Sequence, residues 1–411
     1  RSLTNDTGSE SIINLRLARM VFSNTVCTFG GRYPEGANAR KGMVINMMKF
    51  SVDIPVKIIS GRGCIGANRR ELGLGRHAAI VCGRHGAAAS GALGDVTAAL
   101  DALGTAYDIF DGALPNPPLS SAYDIGCRTA ACHADFVIGI GGGSAMDTAK
   151  AAAAFAANSS IAQTDIFDPS ALAHEPLPLV LIPTTAGTGS EANPYSVLTL
   201  PDGRHKKTYA GRGAWARVAF LDPSYTSSVG RESTISTALD AMAHAMESYL
   251  SPRSDALSRM LALYAGSAIW DVISEYPDSY TDEMRDALAY ASCAAGAAIS
   301  ITGTGFPHPL GYSLTLLDGI PHGRACAVFH GDYIEYNQKN PDGAALIAEF
   351  AAGLGTKPRL LAEYLPALAA VDLHFTDAEI AERVDLIKGA KNYTNSPYVL
   401  SDEEKLEIYH R

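Results

Sequence analysis

Short apolar runs alternate with alanine-rich amphipathic stretches between about Val56 and Asp222. The apolar runs predict buried strands at HAAIVCG, AYDIFDG, DFVIGIGGGS and LPLVLIPTTAGTGSE. The amphipathic stretches predict helices at SGALGDVTAALDALG, SSAYDIGCRTAACHA and AMDTAKAAAAFAA. Strands that alternate with helices in this way are typical of a parallel sheet with helices on its faces, and such sheets bind ligands at the carboxyl ends of their strands.

The pattern changes near residue 225 to long segments of helical period with almost no strand signal. We therefore predict an α/β domain over residues 43–225 and an all-helical domain over residues 226–411. Residues 1–42 show neither period, and we expect a tail or an upstream extension there. A signal peptide is less favoured because no small-residue cleavage site follows an apolar core.

Composition narrows the class of protein. The 411-residue chain has 18% charged residues and no run of 18 strongly apolar residues, so we predict no membrane span. A net charge of −10 argues against nucleic acid as a main partner, since neutralising phosphates needs a basic face. Seven cysteines without a C-x-x-C pair indicate neither a disulfide framework nor a zinc ribbon, and the cytoplasm is the expected location.

A glycine-rich loop follows one predicted strand in the segment IGIGGGSAMDTAK. Without Cβ atoms, Gly141, Gly142 and Gly143 let the backbone approach a phosphate, and the start of the following helix favours an anion. Ser144 adds a hydroxyl donor, and we expect Asp147 to lie in the first helical turn. A plain tight turn remains the alternative, because the motif is not a complete G-x-G-x-x-G.

A second polar loop, PTTAGTGSE, lies at the end of another predicted strand about 40 residues later. Thr184, Thr185 and Thr188 offer hydroxyl donors. Two such loops at strand ends predict a dinucleotide spread across the sheet edge, and ordinary connecting loops are the alternative.

Candidate metal ligands occur in two parts of the helical half. In LDAMAHAME, Asp240 and His244 are four residues apart, which places both side chains on one helix face. A helix-surface ion pair is the alternative reading of that spacing. His308 and His322 follow prolines in GTGFPHPLGYSLTLLDGIPHG, and proline restricts the backbone beside each imidazole. One Asp and three His would suit Fe(II) or Zn(II).

These motifs in this order resemble the iron-containing (group III) alcohol dehydrogenase family over about residues 55–411. The matching segments are PNP, GGGSAMDTAK, IPTTAGTGSE, DPSYT, LDAMAHAMESY, GTGFPHPLG and IPHGRACAVF. The resemblance implies a Rossmann-like parallel α/β domain followed by an all-helical metal-binding domain, the architecture of dehydroquinate synthase. It also implies hydride transfer between NAD(P)(H) and a small alcohol or aldehyde, with a divalent metal polarising the substrate oxygen.

By this resemblance, the metal set falls on Asp240, His244, His308 and His322. Many family members carry a further, non-ligand histidine four residues after the metal ligand. Counting back 14 residues from His322 places the ligand at His308, so the non-ligand histidine falls on Tyr312 here. The exchange leaves two roles for Tyr312: passing a proton or lining the pocket.

The resemblance also bears on the choice of nucleotide. Where NAD-preferring members have an aspartate after the first long strand, this chain has Gly83, followed by Arg84. Removing the carboxylate removes its repulsion of a 2′-phosphate, and Arg84 can pair with that phosphate, so NADP(H) is favoured over NAD(H). Binding of both cofactors, with Arg84 merely solvated, is the alternative. By resemblance, Asn116 and Thr185 are expected near the nicotinamide.

The remaining expectations concern rivals and partners. His330 matches no ligand position, and we expect it to be a hydrogen-bonded core or pocket-wall residue. Rival functions are a zinc-dependent polyol dehydrogenase, a relative that uses NAD transiently as dehydroquinate synthase does, and a non-catalytic nucleotide or metal sensor. A homodimer or larger homo-oligomer is expected.

Overall fold

The four strands predicted from the buried runs belong to the central sheet of the computed structural model, which describes residues 50–410. Two strands that the pattern did not predict, Lys57–Ser60 and Val218–Leu221, lie at one edge of the same sheet. Six parallel strands lie in the order β1-β8-β5-β4-β2-β3, and β6 and β7 form a separate antiparallel pair. The strands are β1 Lys57–Ser60, β2 His77–Cys82, β3 Ala106–Phe110, β4 Phe136–Gly141, β5 Leu179–Pro183, β6 Tyr195–Thr199, β7 Lys206–Ala210 and β8 Val218–Leu221.

Parallel pairing explains why the central strands read as continuous apolar runs. Helices cover both faces of the sheet, so every residue of β4 and β5 is buried. Separate apolar clusters pack on the two faces, one around Ile80 and Ile138 and the other around Val81 and Val137. The β6–β7 pair, joined through the turn sequence PDG, is an element that the strand–helix alternation does not predict.

An α-helix follows each of the strands β1 to β4, and helices make up nearly all of the second half. The helices are α1 Cys64–Ala67, α2 Gly86–Ala89, α3 Ala92–Leu103, α4 Leu119–Ala131, α5 Gly143–Ala157, α6 Arg231–Leu250, α7 Ala256–Ile273, α8 Asp282–Thr302, α9 Pro307–Leu317, α10 His322–Ala327, α11 His330–Gln338, α12 Pro341–Gly353, α13 Pro358–Ala369, α14 Asp377–Ile387 and α15 Asp402–His410.

Helix α6 is the centre of the helical half, because most of its residues are buried by α7, α8 and α10. A glycine allows the close packing of α10 against α6. A Cβ on Gly323 of α10 would lie 1.8 Å from the carbonyl oxygen of Ser236 on α6. Only glycine therefore lets α10 pack against α6 at this separation.

The fold class is confirmed, since a parallel α/β half precedes a helical half. Ser51–Arg411 forms one compact unit, so the division at residue 225 into two domains stays a prediction; β8 ends at Leu221 and α6 begins at Arg231. The expected tail at residues 1–42, like residues 43–49, lies outside the described part of the chain.

Among the described residues, no single helix is long and apolar enough to cross a membrane. Helices α8 and α9 pass that test only when taken together, and they are bent by 115° at the break between them.

Candidate metal and nucleotide site

One cleft of about 1520 Å³ runs between the carboxyl ends of the sheet strands and the helical half. Every predicted site residue lines this cleft, although the residues come from widely separated segments of the chain. They are Gly83, Arg84, Asn116, Gly141, Gly142, Gly143, Ser144, Asp147, Thr184, Thr185, Thr188, Asp240, His244, His308, Tyr312 and His322.

Three of the four predicted metal ligands converge on a carboxylate oxygen of the fourth. The Nε2 atoms of His244, His308 and His322 each lie 3.8 Å from Oδ1 of Asp240. Asp240 and His244 come from α6, His308 from the first turn of α9, and His322 from the first residue of α10. Prolines at the start of α9 suit that position, since the first helical turn leaves backbone N–H groups without carbonyl partners.

The donor set fits a divalent transition metal. Nitrogen and oxygen ligands bind zinc at about 2.0–2.2 Å, so two donors to one ion can lie up to about 4.4 Å apart, and the separations from Asp240 fall within that limit. Oδ1 of Asp240 and Nε2 of His308 are buried and have no hydrogen-bond partner among the described residues. Buried polar atoms are normally satisfied, and a metal ion bound by both atoms would satisfy them.

Glu247 orients one of these imidazoles. Its buried carboxylate accepts a hydrogen bond from the Gly305 backbone N–H at 2.5 Å and lies 2.8 Å from Nδ1 of His308. A carboxylate only accepts, so Nδ1 of His308 donates and its Nε2 presents a lone pair towards Asp240. Burial alone would lower the pKa of His308, but Glu247 outweighs it and the pKa is raised.

The other two imidazoles are neutral near pH 7. Burial lowers the pKa of His244 to about 4 and the pKa of His322 to about 3. A neutral imidazole keeps the lone pair that a metal needs. The rings of His244 and His308 also stack, with centroids 4.8 Å apart, which holds their orientations.

Sequence reasoning missed three polar residues at this site. Glu247 could have been found, since it lies three residues after His244 on the same helix. Cys326 is buried with its Sγ 3.8 Å from Nδ1 of His322, and its donor atom lies within 4.8 Å of those of Asp240, His308 and His322. Lys206 lines the cleft from β7, and burial lowers its pKa to about 8.

Tyr312 lies directly beside the proposed metal ligands. Its ring stacks on His322 with centroids 5.9 Å apart, and Nζ of Lys206 is 5.2 Å from its ring centroid. Burial raises the pKa of Tyr312 well above that of a solvated phenol.

The two polar loops meet at the nucleotide end of the cleft. Gly141 ends β4 and Gly143 begins α5, so the glycines are the junction itself rather than a separate loop. A Cβ on Gly142 would lie 3.1 Å from the Thr185 hydroxyl, and one on Gly143 would lie 2.5 Å from Cγ2 of Thr188. The glycines therefore bring the loops together, in addition to exposing backbone N–H groups to the cleft.

The predicted placement of Asp147 in the first turn of α5 is wrong. It lies in the second turn, where its carboxylate accepts hydrogen bonds from the Ser190 hydroxyl at 2.8 Å and the Val197 backbone N–H at 2.9 Å. Burial raises its pKa. Lys150, one turn further along, donates to the carbonyl and hydroxyl oxygens of Ser190, both at 2.7 Å. These two residues hold the second polar loop against α5.

The residues expected to set the preference between NADP(H) and NAD(H) line the cleft. Gly83 follows β2, and Arg84 beside it is exposed and forms no ion pair with any described residue. Asn116 lies deeper, where its Oδ1 accepts a hydrogen bond from Nζ of Lys206 at 3.0 Å.

His330 is a core residue, as one of the two predicted alternatives had it, but it lacks the predicted hydrogen bond. It is fully buried at the start of α11 and does not line the cleft. Neither ring nitrogen has a hydrogen-bond partner among the described residues, so the expected hydrogen bond is absent from this part of the chain. Burial lowers its pKa to about 3, which keeps it neutral.

Comparison with known proteins identifies the same architecture. The family model described as iron-containing alcohol dehydrogenase matches residues 55–223, and the model of that family's C-terminal region matches residues 234–371. The iron-containing alcohol dehydrogenase of Thermotoga maritima superposes with a TM-score of 0.82 at 32% identity, covering 88% of this chain and 99% of that one.

Two of the similar proteins are named as reductases of small aldehydes. The chain is 32% identical to sulfoacetaldehyde reductase of Bilophila wadsworthia over 72% of its length and 77% of that protein. It is 33% identical to phosphonoacetaldehyde reductase of Streptomyces viridochromogenes over 77% of both chains. Sulfoacetaldehyde reductase of Bifidobacterium kashiwanohense, solved in complex with NAD+, superposes with a TM-score of 0.77 at 28% identity, covering 88% of this chain and 98% of that one. The chain therefore belongs to the iron-containing alcohol dehydrogenase family, whose members are metal-dependent oxidoreductases of alcohols and aldehydes that use a nicotinamide nucleotide.

Proposed function

We propose that this protein is an NADPH-preferring reductase of small aldehydes whose metal is held by Asp240, His244, His308 and His322. The observation that carries the proposal is the convergence of three imidazole Nε2 atoms at 3.8 Å from one buried carboxylate oxygen. These donors line the same cleft as the glycine junction of β4 and α5. Fe(II) and Zn(II) both accept such a donor set.

When bound, the metal supplies Lewis acidity towards the substrate oxygen. The chain's own residues prepare the site for it. Glu247 fixes the tautomer of His308, and burial keeps His244 and His322 neutral. The lysine at the cleft, Lys206, places a cationic group beside Asn116 and the ring of Tyr312.

The nucleotide is proposed to lie along the polar loops. Gly141, Gly142, Gly143 and Ser144 offer backbone and hydroxyl donors at the start of α5, where the helix dipole favours phosphate. Thr184, Thr185 and Thr188 line the cleft beside these glycines and offer hydroxyl donors, and Asn116 is proposed to lie near the nicotinamide. Asp147 contributes by holding the second loop in place.

Preference for NADP(H) follows from the absence of a carboxylate at Gly83 and from the exposed guanidinium of Arg84. A Cβ on Gly83 would meet only the Ala113 carbonyl oxygen, at the ordinary contact distance of 3.6 Å, so the backbone has room for a side chain there. We expect Gly83→Asp to shift the ratio of kcat/KM values towards NADH, and Arg84→Ala to weaken NADPH alone. No change of the ratio in either variant contradicts the proposed preference.

A homodimer or larger homo-oligomer in the cytoplasm is also proposed. The edge strand β1 exposes Ile58, and unpaired sheet edges are surfaces on which a second copy can pair. The described cysteines are all free, which suits a reducing compartment. Sedimentation velocity gives the oligomeric state.

The activity is tested by stripping the protein of metal and reconstituting it anaerobically with Fe(II) or with Zn(II). NADPH oxidation is then followed with a panel of short aldehydes, including sulfonate- and phosphonate-bearing ones. His308→Ala is expected to lose the metal, whereas His330→Ala, a buried histidine outside the cleft, is expected to retain it. Absence of NADPH oxidation with both metals across the panel, or equal metal loss in both variants, refutes the proposal.

A further inference from the structure

A second cluster of metal-binding side chains lies at the opposite end of the sheet from the cleft. It consists of His77, Asp108 and Cys132, whose donor atoms all lie within 4.8 Å of one another. His77 is the first residue of β2, whereas the cleft lies at the carboxyl ends of the strands. A strand of this length spans about 17 Å, so the cluster is not part of the site described above.

The fold brings these three residues together through strand register. His77 pairs with Ala106 and Ala79 pairs with Asp108, and side chains two residues apart share a face, so His77 and Asp108 project on the same side of the sheet. Helix α4 covers that face and ends at Ala131, which leaves Cys132 at the sheet's amino edge. No two of the three residues are close in sequence.

The contacts within the cluster bring three potential metal donors close together. Nε2 of His77 lies 2.8 Å from Oδ2 of Asp108. The Cys132 thiol donates to the Thr129 carbonyl oxygen at 3.2 Å, a weak bond that a metal can replace. Burial raises the pKa of the thiol, so it is protonated without metal and releases that proton when a metal binds.

The donor chemistry selects the ion. One imidazole, one carboxylate and one thiolate are ligands of Zn(II), whereas Ca²⁺ and Mg²⁺ take oxygen donors. His77 and Cys132 are half-buried and Asp108 is exposed, with side-chain exposures of 27% for His77 and 49% for Asp108, so an ion can enter from solvent. Three protein ligands leave the fourth tetrahedral position to water.

We propose that His77, Asp108 and Cys132 form a second, peripheral zinc site that ties β2, β3 and the end of α4 together. The site does not depend on the proposed function, because none of its residues lines the cleft. Zinc bound there stabilises the native fold by mass action, in proportion to its affinity for the folded chain.

The test is metal analysis of the full-length protein titrated with Zn(II) and, for spectroscopy, Co(II). The wild type is expected to bind two equivalents per chain and to show a thiolate-to-cobalt charge-transfer band. Cys132→Ser and Asp108→Asn are expected to bind one equivalent and to keep aldehyde reductase activity. Cys127→Ser, a half-buried cysteine on α4 outside the cluster, is the matched control and is expected to keep both equivalents.

Cys326 lies near the cleft ligands and must be distinguished from Cys132. A band that persists in Cys132→Ser and disappears in Cys326→Ser assigns the thiolate to the cleft and overturns the proposal. A second equivalent that binds only at millimolar metal, equally in wild type and Cys132→Ser, is adventitious surface binding and overturns it as well. A wild-type protein that binds both equivalents of metal but reduces no aldehyde contradicts the proposed function alone. The failure of the proposed function and the failure of the second zinc site are therefore distinguishable.

Discussion

Glu247 offers a direct test of how the proposed metal site is assembled. Its carboxylate accepts from both the Gly305 backbone N–H and Nδ1 of His308, and it is fully buried. Glu247→Gln keeps the side-chain volume but replaces one accepting oxygen by an amide NH₂ that cannot accept. Oε2 of Glu247 lies within reach of both donors, so the amide oxygen can still accept from both, but the amide NH₂ then lies beside Nδ1 of His308 in place of Oε1. His308 also loses the anion that fixes its tautomer.

The expected loss of metal affinity follows from the role of carboxylates that hydrogen-bond to metal-binding histidines. Removing the hydrogen-bond acceptor behind a metal-binding histidine typically weakens metal affinity by about 10- to 100-fold, or about 1.4–2.7 kcal/mol. We expect a loss in this range for Glu247→Gln, together with a fall in the pKa of His308, which Glu247 now raises.

Competition with a chromophoric chelator measures the metal affinity, and the pH dependence of metal binding reports the pKa of His308. Glu349→Gln is the control, because Glu349 is exposed and only meets the Tyr249 hydroxyl, at 3.4 Å. Unchanged metal affinity in Glu247→Gln would show that the hydrogen bond to His308 does not prepare a metal ligand and would refute the reasoning.

Three further predictions concern packing, pH and proton transfer. Gly323→Ala would place its Cβ 1.8 Å from the Ser236 carbonyl oxygen, so we expect the free energy of unfolding to fall by about 1–3 kcal/mol. Metal binding is expected to weaken as well, because His322 moves with α10. Wild-type stability and metal affinity in this variant would contradict the prediction. Burial raises the pKa of Glu191 to about 7 from 4.5, so its ionisation costs stability as pH rises between those values. Glu191→Gln is therefore expected to raise Tm at pH 8, through a gain in the free energy of unfolding of at most about 3 kcal/mol, and to leave Tm unchanged near pH 4. An equal shift of Tm at both pH values would show that ionisation of Glu191 is not the cause. Tyr312→Phe is expected to lower kcat by less than about 10-fold, since burial raises the pKa of its phenol and keeps it protonated; a loss of 100-fold or more would assign proton transfer to its hydroxyl.

Much of the candidate site could be predicted because its residues lie in short segments of unusual composition. The glycine run before α5 and the threonine-rich loop after β5 both interrupt apolar patterns, and such interruptions at strand ends place polar groups at one sheet edge. Asp240 and His244 share a helix face by spacing alone. The family resemblance supplied the pairing of these two residues with His308 and His322.

Other features could not be predicted, because they depend on contacts between distant segments. Asp147 looked like a residue of a first helical turn, yet its role is to accept hydrogen bonds from the second polar loop, more than 40 residues away. The missing hydrogen bonds of His330 are likewise a property of its buried surroundings and not of its neighbours in sequence.

The amino-acid sequence by itself determined the alternation of strands β2 to β5 with helices, the change to helix near residue 225 and the chemical types of the site residues, since these follow from local periodicity and composition. Only the tertiary structure decided the 3.8 Å convergence on Asp240, the support of His308 by Glu247 and the meeting of His77, Asp108 and Cys132. The physical reason is that register and helix packing set these distances, and both arise from contacts between segments that no local pattern encodes.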